Sequence, residues 1–117
     1  MGAGKIDLLM ASIFLDSLKT PYLFTDTSHT IRYMNSAALA NYSREADLLG
    51  TSLLDCHNAE SQKIILEIFE EMKGGLEERI ITDNEKYRIY MRAVRDSGGR
   101  LLGYYERYEP PATAGSD

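Results

Sequence analysis

Apolar side chains recur over residues 5–18 at Ile6, Leu9, Met10, Ile13 and Phe14, the spacing of one face of a helix. A second apolar stripe, Leu8, Ala11, Leu15 and Leu18, runs beside the first. Together they cover more of the circumference than one contact with the rest of the domain requires. The pattern therefore predicts an N-terminal amphipathic helix within residues 1–18, frayed at its start. Its second partner would be another copy of the chain or a neighbouring signalling helix. Pro21 stops the helix, because proline donates no backbone hydrogen bond and restricts the residue before it.

Beyond Pro21 the period changes from helix to strand. Residues 22–26 and 30–34 read as two strands joined at Thr27-Ser28-His29, with His29 placed in a solvated turn and given no role. Asn35 and Ser36 are N-cap residues for a short helix over 37–42, and Ser43 caps a further helical turn containing Glu45, Ala46 and Asp47. After Gly50, residues 51–56 lead to His57 and Asn58. Ile64, Ile65, Ile68, Phe69 and Met72 then mark one face of a helix that starts near Ala59, with Asn58 as its N-cap and Gly74-Gly75 as its stop. Three strands follow over 76–83, 86–95 and 100–108, separated by turns at Asp83-Asn84-Glu85 and Asp96-Ser97-Gly98-Gly99. In the middle strand Tyr87, Ile89, Met91 and Ala93 share one face. The order β-β-α-α-α-β-β-β behind a leading helix predicts an α+β domain, a five-stranded antiparallel sheet with helices on one face.

Composition narrows the function. The chain has 117 residues, 44% of them hydrophobic, enough for one domain that buries roughly 65% of its unfolded surface. Its lone cysteine, Cys56, excludes an intrachain disulfide and a cysteine zinc cluster, and fits a reducing compartment. The net charge of −5 is spread along the chain and argues against nucleic acid or an anionic membrane as partner. No apolar run approaches the roughly 18 residues of a membrane span, so no membrane insertion and a cytoplasmic location are expected. The tail, residues 110–117, has the composition of a linker.

No catalytic residues emerge. Cys56 and His57 are sequence neighbours, a poor starting point for a converging Cys–His dyad, and the other histidine lies in a distant turn. Gly74-Gly75 and Gly98-Gly99 lack the Lys-Ser/Thr of a phosphate loop, and Glu70-Glu71 and Glu77-Glu78 read as solvated faces. The chain is expected not to be an enzyme.

Several segments carry a resemblance. Leu23-Phe24-Thr25-Asp26 is followed by Ile31-Arg32-Tyr33-Met34-Asn35-Ser36-Ala37-Ala38, with Asp47-Leu48-Leu49-Gly50 ahead of the pocket helices. The run from Arg92 to Gly103 forms a strand-turn-strand close. In this joint order, residues 18–109 resemble a PAS domain, the small sensor module of signalling proteins. The resemblance divides the chain into a leading dimerisation or signalling helix (1–18), the PAS domain (19–109) and a tail (110–117). It implies a pocket between sheet and helix whose occupancy changes how flanking helices pair. It also implies a homodimer through the N-terminal helix, with any effector domain outside this chain.

The ligand reading centres on Cys56-His57-Asn58-Ala59-Glu60-Ser61, similar to a Cys-His-containing PAS subgroup in which C-H-x-x-x-S precedes the pocket helix. The likeness implies haem held through His57 as axial metal ligand, with Met91 or another sheet residue across the iron, or an open gas site. Ile65, Phe69 and Ile89 would complete the apolar walls. Cys56 is a second candidate, as a redox-sensing thiol or ligand, against the plainer reading of a buried inert thiol. The flavin-adduct run Asn-Cys-Arg-Phe-Leu-Gln of light-sensing relatives is absent. Two alternatives stay open: a small organic ligand met by Tyr33, Tyr87, Tyr104 or Arg92, and a ligand-free dimerisation module.

Overall fold

Strands β1 (Tyr22–Asp26), β2 (Ile31–Met34), β3 (Glu78–Asp83), β4 (Arg88–Arg95) and β5 (Leu101–Glu109) form one antiparallel sheet in the order β2-β1-β5-β4-β3. The structure, a computed structural model, describes residues 6–42 and 48–111. Alternation decides the faces: Ile89, Met91 and Ala93 of β4 are buried, while Arg88, Tyr90 and Arg92 point to the other side. β5 is the central strand, paired with both β1 and β4. Its contact with β1 requires Gly103, which has φ +154° and sits against the backbone of Thr25 and Asp26, where a side chain would collide.

The covering helix is α3 (Ala59–Lys73), begun by Asn58, whose side chain accepts from the Ser61 N–H at 2.8 Å. Its buried residues are Ile65, Ile68, Phe69 and Met72. Ile64, expected on the same face, is instead 37% exposed at the margin of the contact. Arg95 of β4 closes the other end of the helix by donating to the carbonyls of Met72 (2.7 Å) and Leu76 (3.1 Å). The core between α3 and the sheet contains Ile31, Leu53, Met72, Met91 and Tyr104, all without exposed surface.

Two connecting elements differ from the sequence reading. Leu53–Cys56 forms a single 3₁₀ turn capped by Ser52. The helical turn expected at Ser43 and residues 45–47 lies outside the described residues. α2 (Ser36–Tyr42) starts at Asn35, whose side chain accepts from the Ala38 N–H.

The leading helix, α1 (Leu8–Asp16), is shorter than its apolar pattern suggested and is capped by Asp7. It buries none of its residues fully. Of the second stripe, Ala11, Leu15 and Leu18 are half-buried, but Leu8 is exposed, as are Leu9, Met10, Ile13 and Phe14. The helix is held at its C-terminal end. Tyr33 donates through its hydroxyl to Asp16 (2.7 Å), and the buried Asn35 amide donates to the carbonyls of Leu15 and Thr20 (3.1 Å each). An apolar groove of about 360 Å³ lies beside Leu15 on the outer face of the sheet, lined by Tyr22, Leu23, Phe24, Tyr33 and Tyr105. Elsewhere that face is a charge ladder in which Arg107 pairs with Glu78 (2.9 Å) and Glu109 (2.8 Å), and Arg92 joins Glu78. No helix among the described residues is long and apolar enough to cross a membrane.

Candidate functional site

The site begins with a charged residue in the inward phase of a central strand. Tyr104, Glu106 and Tyr108 alternate along β5 toward α3, and Glu106 lies between Leu23 of β1 and Met91 of β4 in the strand register. Only 2% of Glu106 is exposed, and its Oε2 has no hydrogen-bond partner among the described residues. Burial pushes the carboxyl up to about 7, so it holds its proton well above the usual carboxylate range.

His57 stands on the opposite wall, at the junction between the 3₁₀ turn and α3. Its backbone is fixed by N–H donation to the Leu54 carbonyl (3.1 Å) and by its own carbonyl accepting from Gln62 Nε2 (3.0 Å). The residue is half-buried, and its Nε2 also has no hydrogen-bond partner among the described residues. Burial lowers its pKa, which keeps the imidazole neutral at physiological pH. These two side chains, with Ser61, Ile64, Ile65, Ile81, Thr82, Ile89 and Tyr108, line a cavity of about 70 Å³. Among the described residues its lining holds one carboxyl, one imidazole and no lysine or arginine. Buried polar atoms in folded proteins nearly always have partners, so two orphans on the walls of one cavity mark a place for a polar occupant.

Of the residues singled out in the sequence, His57, Ile65 and Ile89 meet at this cavity. The others do not. Met91 has no exposed surface and is packed in the core, neighbouring Glu106 across the β4–β5 pair. Phe69 turns toward His29, with ring centroids 4.8 Å apart, and toward Tyr104 at 5.8 Å. Cys56 is exposed, not buried as the plainer reading had it. Partial burial of its sulfur, with Asp55 and Glu106 nearby, raises its thiol pKa and keeps it protonated, and His57 Nε2 makes no bond to it.

Haem does not fit this geometry. About 70 Å³ is room for roughly five water-sized groups, far below a macrocycle, and Met91 is fully buried in the core and does not line the cavity.

The polar groups expected for an organic ligand also lie elsewhere. Tyr33 and Arg92 are on the outer face, Tyr87 stacks near Tyr108 with centroids 5.2 Å apart, and Tyr104 is bonded to His29. His29 is the clearest departure from the sequence reading. It adopts φ +66° in the β1–β2 turn, and its half-buried ring sits between Phe69 and Tyr104, with Nδ1 2.8 Å from the Tyr104 hydroxyl. The turn points its side chain over the end of the core, where burial outweighs the nearby Asp26 carboxylate and lowers its pKa.

Sequence reasoning missed Glu106, Tyr108 and Thr82, and quoted Ser61 only as part of the C-H-x-x-x-S run, with no role of its own. A signal for Glu106 was present: a carboxylate two residues from Tyr104, in the phase of a strand that must face the helix.

The comparisons agree with this architecture. A family model described as PAS domain matches residues 11–109. Among solved structures, a C-terminal domain from Streptococcus mutans is 19% identical, covering 94% of this chain and 89% of that one with a TM-score of 0.79. A sensory box sensor histidine kinase from Vibrio cholerae is 11% identical, covering 87% and 89% with a TM-score of 0.65. The Aer2 receptor from Vibrio cholerae, a dual PAS-heme oxygen sensor, is 17% identical, covering 77% and 92% with a TM-score of 0.57. No curated protein matches. With five antiparallel strands, a covering helix and a family match over residues 11–109, the chain belongs to the PAS domain family.

Proposed function

We propose that this PAS domain is a receiver, not a catalyst, which takes a small polar ligand into the cavity between His57 and Glu106 and passes its occupancy to α1. The observation that carries the reading is the pair of partnerless buried atoms, His57 Nε2 and Glu106 Oε2, on the walls of the same cavity. A route to α1 is short. Glu106 pairs with Leu23 across the β5–β1 register, the Tyr22 N–H donates to Asn35 Oδ1, and Asn35 Nδ2 donates to the Leu15 carbonyl. A ligand that reseats Glu106 would bias the packing of α1 through this chain of contacts.

A separate observation supports a second copy of the chain as the partner of α1. The helix exposes Leu8, Leu9, Met10, Ile13 and Phe14 beside the apolar groove at Leu15, Tyr22 and Phe24. A two-fold pair offers each groove the other copy's helix, which is how an isologous interface covers both.

A thermal-shift screen of small polar compounds tests the ligand reading, using the native chain and Ser61→Phe, which blocks the cavity without entering the core. Stabilisation of the native chain alone supports it. Equal stabilisation of both, or of neither, counts against it. Addition of hemin is expected to give no His57-dependent Soret band; a strong band abolished by His57→Ala would restore haem.

A further inference from the structure

We propose that the cavity selects a small cation, a primary ammonium or an amidinium, whose N–H groups are accepted by Glu106 Oε2 and His57 Nε2. The inference rests on reading the cavity as a ligand site and adds the chemical class.

Three observations carry it. Both orphaned atoms serve as acceptors: Glu106 through a carboxylate oxygen, and neutral His57 through Nε2 when Nδ1 holds the ring proton. Among the described residues neither an arginine nor a lysine lines the cavity, so an anion would meet the Glu106 carboxyl with none of them to pair its own charge. The cavity, about 70 Å³, admits only a few non-hydrogen atoms, the size of propylammonium or acetamidinium.

The surroundings of Glu106 favour charge complementation over a neutral guest. Its neighbours across the strands are Leu23 on β1 and Met91 on β4, with Ile65 of α3, Thr82 of β3 and Ile89 of β4 on the cavity walls. Among the described residues, the titratable groups near it are Cys56, His57, Tyr104 and Tyr108; none is a lysine or an arginine, and burial lowers the pKa of His57. An entering ammonium ion supplies the missing positive charge and makes charge-assisted bonds, roughly twice as strong as those of a neutral amide. The only bond broken is the Glu106 O–H bond, whose electron pair stays on the carboxylate oxygen. The Glu106 proton leaves to solvent, and the carboxylate and the ammonium remain as a pair.

The test is an amide NMR titration of the native chain with propylammonium chloride, propionamide, sodium propionate and potassium chloride. Saturable shifts at Ser61, Ile65, Thr82, Ile89 and Glu106 are expected with propylammonium. Propionamide should bind at least tenfold more weakly, propionate not at all, and folded Glu106→Gln should lose at least tenfold in propylammonium affinity. If propionamide or propionate saturates these amides as well as propylammonium does, the cation assignment fails while the ligand cavity stands. Shifts no larger than those from potassium chloride overturn the cation assignment, and a thermal-shift screen that also yields no ligand removes the cavity reading with it.

Discussion

The buried amide of Asn35 donates to the Leu15 carbonyl at 3.1 Å, tying the end of α1 to the start of α2 and, through Oδ1, to the first residue of β1. One side chain with no exposed surface thus joins the leading helix to the sheet by four hydrogen bonds, to Leu15, Thr20, Tyr22 and Ala38. Asn35→Ala leaves these backbone groups unpaired and should cost about 2–4 kcal/mol. Urea denaturation measures the cost. Amide exchange should also show α1 opening more often than α3; equal protection of the two helices would argue against Asn35 as the tether.

Gly103 should tolerate no side chain. A Cβ there overlaps the Thr25 carbonyl oxygen and comes within 2.9 Å of the Asp26 Cα, at a φ that non-glycine residues rarely adopt. Gly103→Ala is expected to destabilise by about 3 kcal/mol or more, read as a lower denaturation midpoint. A change below about 0.5 kcal/mol would mean that β1 and β5 do not approach this closely.

Stability should fall with rising pH through the window set by Glu106. Its ordinary value is 4.5 and burial raises it to about 7. Between these values the folded state keeps a proton that the unfolded chain has lost, so stability declines as pH rises and levels off above about 7. The loss amounts to about 3 kcal/mol. His57 acts in the opposite sense: burial lowers its pKa, so its contribution is present above the ordinary value of 6.5 and is lost as pH falls through the depressed folded value. Both proteins in a comparison with Glu106→Gln retain His57, so the difference isolates Glu106. Denaturation at pH 5 and pH 8 should show the native chain losing stability relative to Glu106→Gln, and parallel behaviour would contradict the buried carboxyl.

Dimerisation should depend on α1. Ile13→Glu with Phe14→Glu places two carboxylates on its exposed apolar face and is expected to convert dimers to monomers in sedimentation velocity, with the melting temperature little changed because neither residue is buried. An unchanged sedimentation coefficient would place the interface elsewhere.

Much of this was legible in the sequence where one period governed a segment. The apolar face of α3, its Asn58 cap, and the alternation of Ile89, Met91 and Ala93 each follow from a local rule. The site was legible only in part. His57, Ile65 and Ile89 were identifiable by their place before and along the pocket helix and on the inner strand face. Glu106 and Thr82 enter through strand register, which brings β3 and β5 to either side of β4 and which no local pattern states. His29 was misplaced because a turn residue ordinarily faces water; here a positive φ turns its ring onto Phe69 and Tyr104.

The most direct measurement is the ¹³C chemical shift of the Glu106 side-chain carboxyl across pH 4 to 9, with and without propylammonium. A midpoint near 7 in the free protein, moving downward when the cation is present, is the expected result. A midpoint at the ordinary value of 4.5, unmoved by the cation, would contradict the account: Glu106 would then be a solvated side chain with no ligand to meet.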